Sequence, residues 1–250
     1  MEDRLRSLGF EVTEDVSPGE NGLVTRNFVA DLKGVSKPDE VILVGAHYDA
    51  FWQGADDNSS GTVALLELAR VLSQHHFERT LRFTSFDLEE FGIIGSHRYV
   101  KEGKAGQVVT ALVFDCVGYY SDAEGSQESL PGLPSPSRGD FLAAIGNDDS
   151  VDETSQLYQL NNALGLMNVV PLISSGNGTP TLGFSLTLSD HLPFWFNHQK
   201  AVFLSDTAPY RNPNYHQATD TLDTLEPARL GQAVRVAAAA LAFWAGGPTP

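Results

Sequence analysis

The chain has 250 residues, 42% of them hydrophobic, which is enough for one large core or two small ones. Acidic residues outnumber basic ones 32 to 16, and the net charge of −16 argues against a nucleic-acid partner, whose phosphates would be repelled. The single cysteine, Cys116, excludes an intramolecular disulfide framework and suits a reducing compartment, and no apolar run reaches the length of a membrane span.

The opening Met1-Glu-Asp-Arg-Leu-Arg6 lacks the pattern of a signal peptide, so the cytoplasm is the expected location of the chain as it stands; a longer native N-terminus would open the way to secretion. Residues 1–10 read as a short helix, and Thr25 to Leu32 alternates as a strand does. Gly34 to Asp39 reads as a turn. Val41-Ile-Leu-Val-Gly-Ala46 is continuously apolar, the mark of a central strand covered on both faces. From Ser60 to Gln74, Leu65, Leu68, Ala69 and Leu72 recur at helical spacing and give one apolar face.

Thr80 to Asp87 predicts the next strand, followed by a short helix through Ser96 to Val100, and Val108 to Phe114 predicts another buried strand. Residues 121–138 are rich in Ser, Pro, Gly and acidic residues without periodicity, which predicts an exposed loop or insertion. A strand resumes at Phe141, Asp152 to Leu164 is helical, and Val169 to Ile173 is a strand before a Gly-rich loop at Ser174–Thr179. Ala201 to Leu204 is one more strand. A final helix begins near Pro227 with Val234, Ala238, Leu241 and Ala245 on one face. This alternation predicts a single three-layer α/β/α domain over residues 1–250, with a mixed, mainly parallel central sheet.

Ligands on such sheets lie beyond the carboxyl ends of the strands. The ionisable residues that follow predicted strands are His47, Asp49, Asp57, Glu89, Glu90 and Asp115, with Asp190, His191 and His216 later. Each alone is more often a solvated turn or a satisfied core residue. Their co-occurrence is what points to chemistry: imidazole with carboxylate and no thiolate suits a catalytic Zn²⁺, or Co²⁺ or Mn²⁺, better than a closed structural zinc. His75, His76, His97 and His198 have no comparable acidic neighbour and read as structural or surface groups. Cys116, next to Asp115 on a strand, should point away from it as a small buried hydrophobe. Phe51, Trp52, Phe194 and Trp195 are candidates for an apolar pocket, although aromatic residues more often fill cores.

Six motifs in order resemble the zinc-dependent aminopeptidases of family M28: Gly45-Ala-His47-Tyr-Asp49, Gly54-Ala-Asp-Asp57-Asn-Ser-Ser-Gly61, Glu89-Glu90-Phe-Gly-Ile-Ile-Gly-Ser96, Asp115 leading to Val117-Gly118, Ser189-Asp-His-Leu-Pro-Phe194, and Tyr215-His216 leading to Thr219-Asp-Thr-Leu-Asp223. They span residues 41–225. The resemblance implies a zinc-exopeptidase fold and removal of the N-terminal residue from peptides with a free N-terminus. It implies one zinc on His47 and Asp115, a second on Glu90 and His216, and Asp57 bridging them. Asp57 is preferred to Asp56 by its distance from Gly61, and a cis peptide is expected after it. Glu89 would be the general base, Tyr215 an oxyanion donor, and Asp49 the partner of the second His47 nitrogen. Asp190 and His191 would sit at the pocket wall or behind the ligands.

Glutaminyl cyclases, which cyclise with one zinc, and inactive binding modules on the same fold share parts of this pattern. Asp57-Asn-Ser-Ser-Gly61 and a full set of five ligands favour the hydrolytic members. The chain departs from the resemblance at Phe196-Asn-His-Gln-Lys200, where many members carry Gly-Ile-Pro.

Overall fold

A computed structural model describes residues 1–19, 22–129, 136–176 and 188–248. The elements are α1 (Glu2–Ser7), β1 (Val12–Pro18), β2 (Val24–Leu32), β3 (Lys37–His47), α2 (Gly61–Leu72), β4 (Arg79–Phe86), α3 (Ile94–Lys101), β5 (Val108–Phe114), β6 (Leu142–Asn147), α4 (Val151–Leu164), β7 (Val169–Ser174), α5 (Leu192–Phe196), β8 (Ala201–Ser205) and α6 (Pro227–Trp244). The eight strands make one sheet in the order β1-β2-β4-β3-β5-β8-β6-β7. β3 pairs in parallel with β4 and β5, β5 with β8, and β6 with β7; β1/β2, β2/β4 and β6/β8 are antiparallel.

Successive residues of the central strands feed opposite cores. Ile42, Val44 and Ala46 pack with Leu65 and Leu68 of α2 and Leu241 of α6 on one face. Val41 and Leu43 pack with Tyr99 of α3 and with Phe194 and Trp195 of α5 on the other. A strand buried on both faces has no reason to alternate, which is why these runs are continuously apolar. Because β3, β4, β5 and β8 run parallel, the chain leaves all four at the same edge of the sheet, just after His47, Phe86, Phe114 and Ser205. Among the described residues no helix is long and apolar enough to cross a membrane.

Several sequence expectations need correction. Lys37 to Glu40 belong to β3 and not to a turn: Lys37 pairs with Arg79 and Val41 with Thr80, so the intervening residues bulge, and a bulge is where a strand tolerates Pro38. β1 and the five-residue α5 were not anticipated; β1 is an edge strand with a largely exposed pattern, and α5 is too short to show a period. The fully buried stripe of α6 is Ala233, Val236, Ala237, Ala240, Leu241 and Trp244, one step round from the expected face; alanines at 237–240 on every side blur the pattern. The 121–138 loop is not wholly exposed: Gln127 is buried, and its side-chain oxygen accepts from Thr207 Oγ1 at 3.1 Å and Arg211 Nε at 2.9 Å. Residues 130–135 of that loop and 177–179 of the Gly-rich one lie outside the described residues.

The antiparallel flank is tied by a charge pair. Arg82 of β4 donates through Nε and Nη2 to both carboxylate oxygens of Asp31 on β2, at 2.7 and 2.9 Å. Burial alone would raise the Asp31 carboxyl, but Arg82 and Lys33 hold it below its ordinary value. A depressed folded-state pKa contributes stability above the ordinary carboxylate value of about 4, and that stability is lost as pH falls through the folded value. Asp31→Asn should therefore lower the unfolding free energy by about 1–2 kcal/mol near neutrality, allowing for solvent screening. Urea titrations should find the gap between variant and parent closing as the pH drops below about 4.

Candidate metal centre

His47 closes β3, and the ionisable side chains from the neighbouring strand ends converge on its ring. His47 Nε2 lies 3.3 Å from Asp115 Oδ1, 3.5 Å from Asp57 Oδ1 and 4.0 Å from Glu89 Oε2. The other oxygen of Asp57, Oδ2, lies 2.9 Å from His216 Nε2, and His216 Nε2 lies 3.2 Å from Glu90 Oε2. Asp57 thus stands between two groups, His47 with Asp115 and Glu90 with His216, and in each group the potential ligand atoms lie within 4.8 Å of one another. His47 is fully buried and the Asp57 and Glu90 side chains nearly so, whereas His216 retains 39% of its exposure and forms the open side.

These contacts are not ordinary hydrogen bonds. His47 Nε2, Asp57 Oδ2 and Glu90 Oε1 are buried with no hydrogen-bond partner, in an interior where such orphans are rare. Donor atoms that converge in this way fit a divalent cation. Imidazole and carboxylate donors fit zinc, cobalt or manganese.

The loop between β3 and α2 owes its shape to neighbours on both sides. Gly54 sits at φ +52, where an added Cβ would come within 2.4 Å of the Asp57 carbonyl. The Asp57–Asn58 peptide is cis, in keeping with the family resemblance. The Asp220 carboxylate accepts from the amides of Asp56 (2.9 Å) and Asp57 (3.1 Å). Asn58 donates to the Phe114 carbonyl and accepts from the amides of Gly61 and Cys116. Asp56 itself turns away from the centre, accepting from Gly118 N at 2.8 Å and Asn212 Nδ2 at 2.7 Å. Asp220, Asn58 and Asn212 were not singled out in the sequence. Asp220 and Asn58 lie inside quoted motifs, but nothing in a motif tells a loop acid that binds backbone from one that binds an ion.

Asp49 acts differently from the expectation. The His47 Nδ1 proton goes to the Asp49 backbone carbonyl at 3.0 Å, while the carboxylate stands off at 3.6 Å. The carboxylate instead accepts the amides of Glu89 and Glu90, both at 3.1 Å, because the chain after β4 brings those two donors into its plane. Asp190 and His191 do not line an open pocket: both are fully buried. Asp190 Oδ1 accepts from Ser96 Oγ at 2.5 Å, and the His191 ring stacks on Phe203 at 4.3 Å. Cys116 does not point away from Asp115. It follows the end of β5, adopts φ +53, and lies with its thiol 3.3 Å from Asp115 Oδ1, since strand alternation no longer applies there.

The aromatic candidates divide. Phe194 and Trp195 are fully buried core residues of α5, and Trp195 Nε1 donates to the Ala201 carbonyl. Phe51 and Trp52 are exposed, and the Phe51 ring lies 5.2 Å from the His216 ring. Tyr215 stacks on His216 with ring centroids 3.9 Å apart. His75, His76, His97 and His198 are at the surface.

The electrostatics carry the strain of crowded acids. Burial pushes Asp57 up to about 7, against the neighbouring imidazoles and with the Asp115 and Glu90 charges adding to it. Burial also raises Glu89 well above the usual range, opposed by His47. Asp115 stays low despite its burial because His47 faces it. The Asp57 and Glu90 carboxylates hold His216 up at about 10.

The model of peptidase family M28 matches residues 27–241. The chain is 31% identical over 245 residues to the uncharacterized protein YfbL of Escherichia coli K12, covering 91% of this chain and 73% of that one. It is 32% identical over 231 residues to the aminopeptidase YwaD of Bacillus subtilis, covering 84% of this chain but 42% of the relative. The structure of BSAP, a zinc aminopeptidase from Bacillus subtilis, superposes with a TM-score of 0.70 at 25% identity over 90% of this chain and 51% of its own. The chain therefore spans about half the length of these two aminopeptidases.

The double grip of Asp49 on the Glu89 and Glu90 amides is needed to aim both carboxylates. Asp49→Asn can keep only one of the two bonds. Zinc affinity, measured by competition with a chromogenic chelator, should fall by roughly 10- to 100-fold while the far-UV circular dichroism spectrum is unchanged.

Proposed function

The chain belongs to peptidase family M28, and from that premise we propose that it is an aminopeptidase that removes the N-terminal residue of peptides with a pair of divalent metal ions. The observation that carries the reading is the position of Asp57, with one oxygen toward His47 and the other toward His216. In this reading His47 and Asp115 would hold one zinc, Glu90 and His216 would hold the other, and Asp57 would serve both; cobalt or manganese could replace zinc. Bound zinc supplies Lewis acidity, lowering the pKa of a water from about 16 to near 7 and polarising the scissile carbonyl.

The chain's own groups divide the remaining work. Glu89 comes within 4.0 Å of His47 but belongs to neither ligand group, which leaves its carboxylate free to take a proton from the attacking water. Its raised pKa suits the second half of the task, in which the same oxygen returns that proton to the departing amine nitrogen. Tyr215 keeps its hydroxyl proton, because burial and the Asp115 charge push its pKa up, so it can donate to the carbonyl oxygen as negative charge gathers there. The surrounding carboxylates make the site hospitable to the positive free N-terminus of a peptide.

Metal analysis of the purified protein should find about two zinc ions per chain, and a single ion would remove the bridging role of Asp57. Among aminoacyl arylamides and carboxy-terminal test substrates, only the first should be hydrolysed. Glu89→Gln should slow turnover by about 10²- to 10⁴-fold with metal content intact; full activity in that variant would remove Glu89 from the reaction.

A further inference from the structure

Three large aromatic side chains stand in solvent beside the candidate centre: Phe51 at 39% exposure, Trp52 at 74% and Phe91 at 63%. Single exposed apolar residues are unremarkable, but exposed aromatic rings paired beside reactive side chains, with a third exposed ring next in sequence, mark a binding surface. The Phe51 and Phe91 rings lie 6.3 Å apart, and Phe51 meets the His216 ring edge-on at 5.2 Å. The rings come from two loops, one leaving β3 after His47 and the other leaving β4 with Glu89 and Glu90. The Asp49 carboxylate joins those loops through the Glu89 and Glu90 amides, so the aromatic rim is held in register with the reacting groups.

Resting on the aminopeptidase reading above, we infer that Phe51, Trp52 and Phe91 form a subsite for a large apolar or aromatic side chain on the second residue of the substrate, the one that follows the scissile bond. The two ends of the centre differ in a way that fixes this direction. Beside Asp115, among the described residues, lies a small pocket lined in part by Cys116, Leu188, Phe203 and Tyr215. A substrate has one residue before its first peptide bond, and a small side pocket suits the single side chain that precedes that bond. The His216 end opens to solvent past the aromatic rim, where a chain that continues can leave. An apolar side chain laid on these rings removes apolar surface of both partners from water, and ring against ring adds an offset or edge-on contact.

The test is a series of peptides Leu-Xaa-Gly-Gly with Phe, Leu, Gly or Asp as the second residue, beside a series varying only the first residue, assayed with the parent, Trp52→Ala and Phe91→Ala. The parent should release leucine with kcat/KM about tenfold or more higher for Phe or Leu than for Gly or Asp at the second position. Each variant should shrink that ratio several-fold while leaving the order of first-residue preferences as in the parent. A ratio near one in the parent, or a ratio untouched by both variants, would overturn the subsite while the aminopeptidase reading stood. So would variants that change only first-residue preference, or that change only the oligomeric state in light scattering, which would make the rim a self-association surface. No release of a first residue from any peptide would overturn the reading beneath and the subsite with it.

Discussion

Four carboxylates, those of Asp57, Glu89, Glu90 and Asp115, share a largely dry space with only two imidazoles, and that excess of buried negative charge is the constraint on which the rest of the structure depends. Desolvation and like charges both raise carboxyl pKa values, and a facing positive group or donated hydrogen bonds lower them. Asp115, opposite His47, stays low, whereas Asp57 and Glu89 are driven up. Protons could relieve part of this, but a proton satisfies one donor-acceptor line at a time. A divalent cation satisfies several converging lone pairs together, and the unpartnered His47 Nε2, Asp57 Oδ2 and Glu90 Oε1 are lone pairs of that kind.

Groups that repel one another stay together only if the backbone beneath them is fixed from elsewhere. The loop carrying Asp57 is fastened at every step: Asp220 takes its amides, Asn58 spans to the Phe114 carbonyl and the Cys116 amide, and Ser60 Oγ donates to the Asp56 carbonyl while accepting from Val117 N. Asp56 extends this fastening to Gly118 and Asn212, and so joins the segments that carry Asp115 and His216. Behind it, Asp206 accepts the Tyr119 amide, and burial together with the facing Asp56 charge raises its carboxyl well above the ordinary range. Asp56 is held by one backbone and one side-chain donor, whereas Asp206 Oδ1 is buried without a donor and its carboxyl keeps the cost of burial as a raised pKa.

The sequence made the central strands and the ionisable residues that follow them legible for one physical reason. A strand buried on both faces must be apolar throughout, and whatever interrupts the run at its carboxyl end stands out: His47 after Ala46, Asp115 after Phe114, Glu89-Glu90 after β4. His216 was collected with these residues although it follows no strand; it arrives on a long irregular segment after β8, and only the resemblance gave it a ligand's role. What stayed hidden was whatever depends on contacts between distant segments. Asp220 binds backbone 163 residues away. Gln127 is buried in a stretch whose composition reads as exposed loop, because Thr207 and Arg211 reach it from the other side of the site. Phe194 and Trp195 read like Phe51 and Trp52, yet the first pair fills the core under α5 and the second stands in water; periodicity over five residues cannot separate them.

Two consecutive glutamates cannot serve different partners on a regular strand without one of them pointing to the wrong face. The chain solves this by leaving the strand register before they occur: Leu88 takes φ +54, and Gly92 and Ile93 turn it again at φ +106 and +61. Between those turns a single carboxylate, Asp49, accepts both amides, so the peptide planes of Glu89 and Glu90 are set and their side chains diverge, Glu89 toward His47 and Glu90 toward His216. The Asp49 carbonyl meanwhile accepts from His47 Nδ1, which turns Nε2 toward Asp57 and Asp115. One residue therefore sets the orientation of the His47 ring through its backbone and the direction of the neighbouring acids through its side chain.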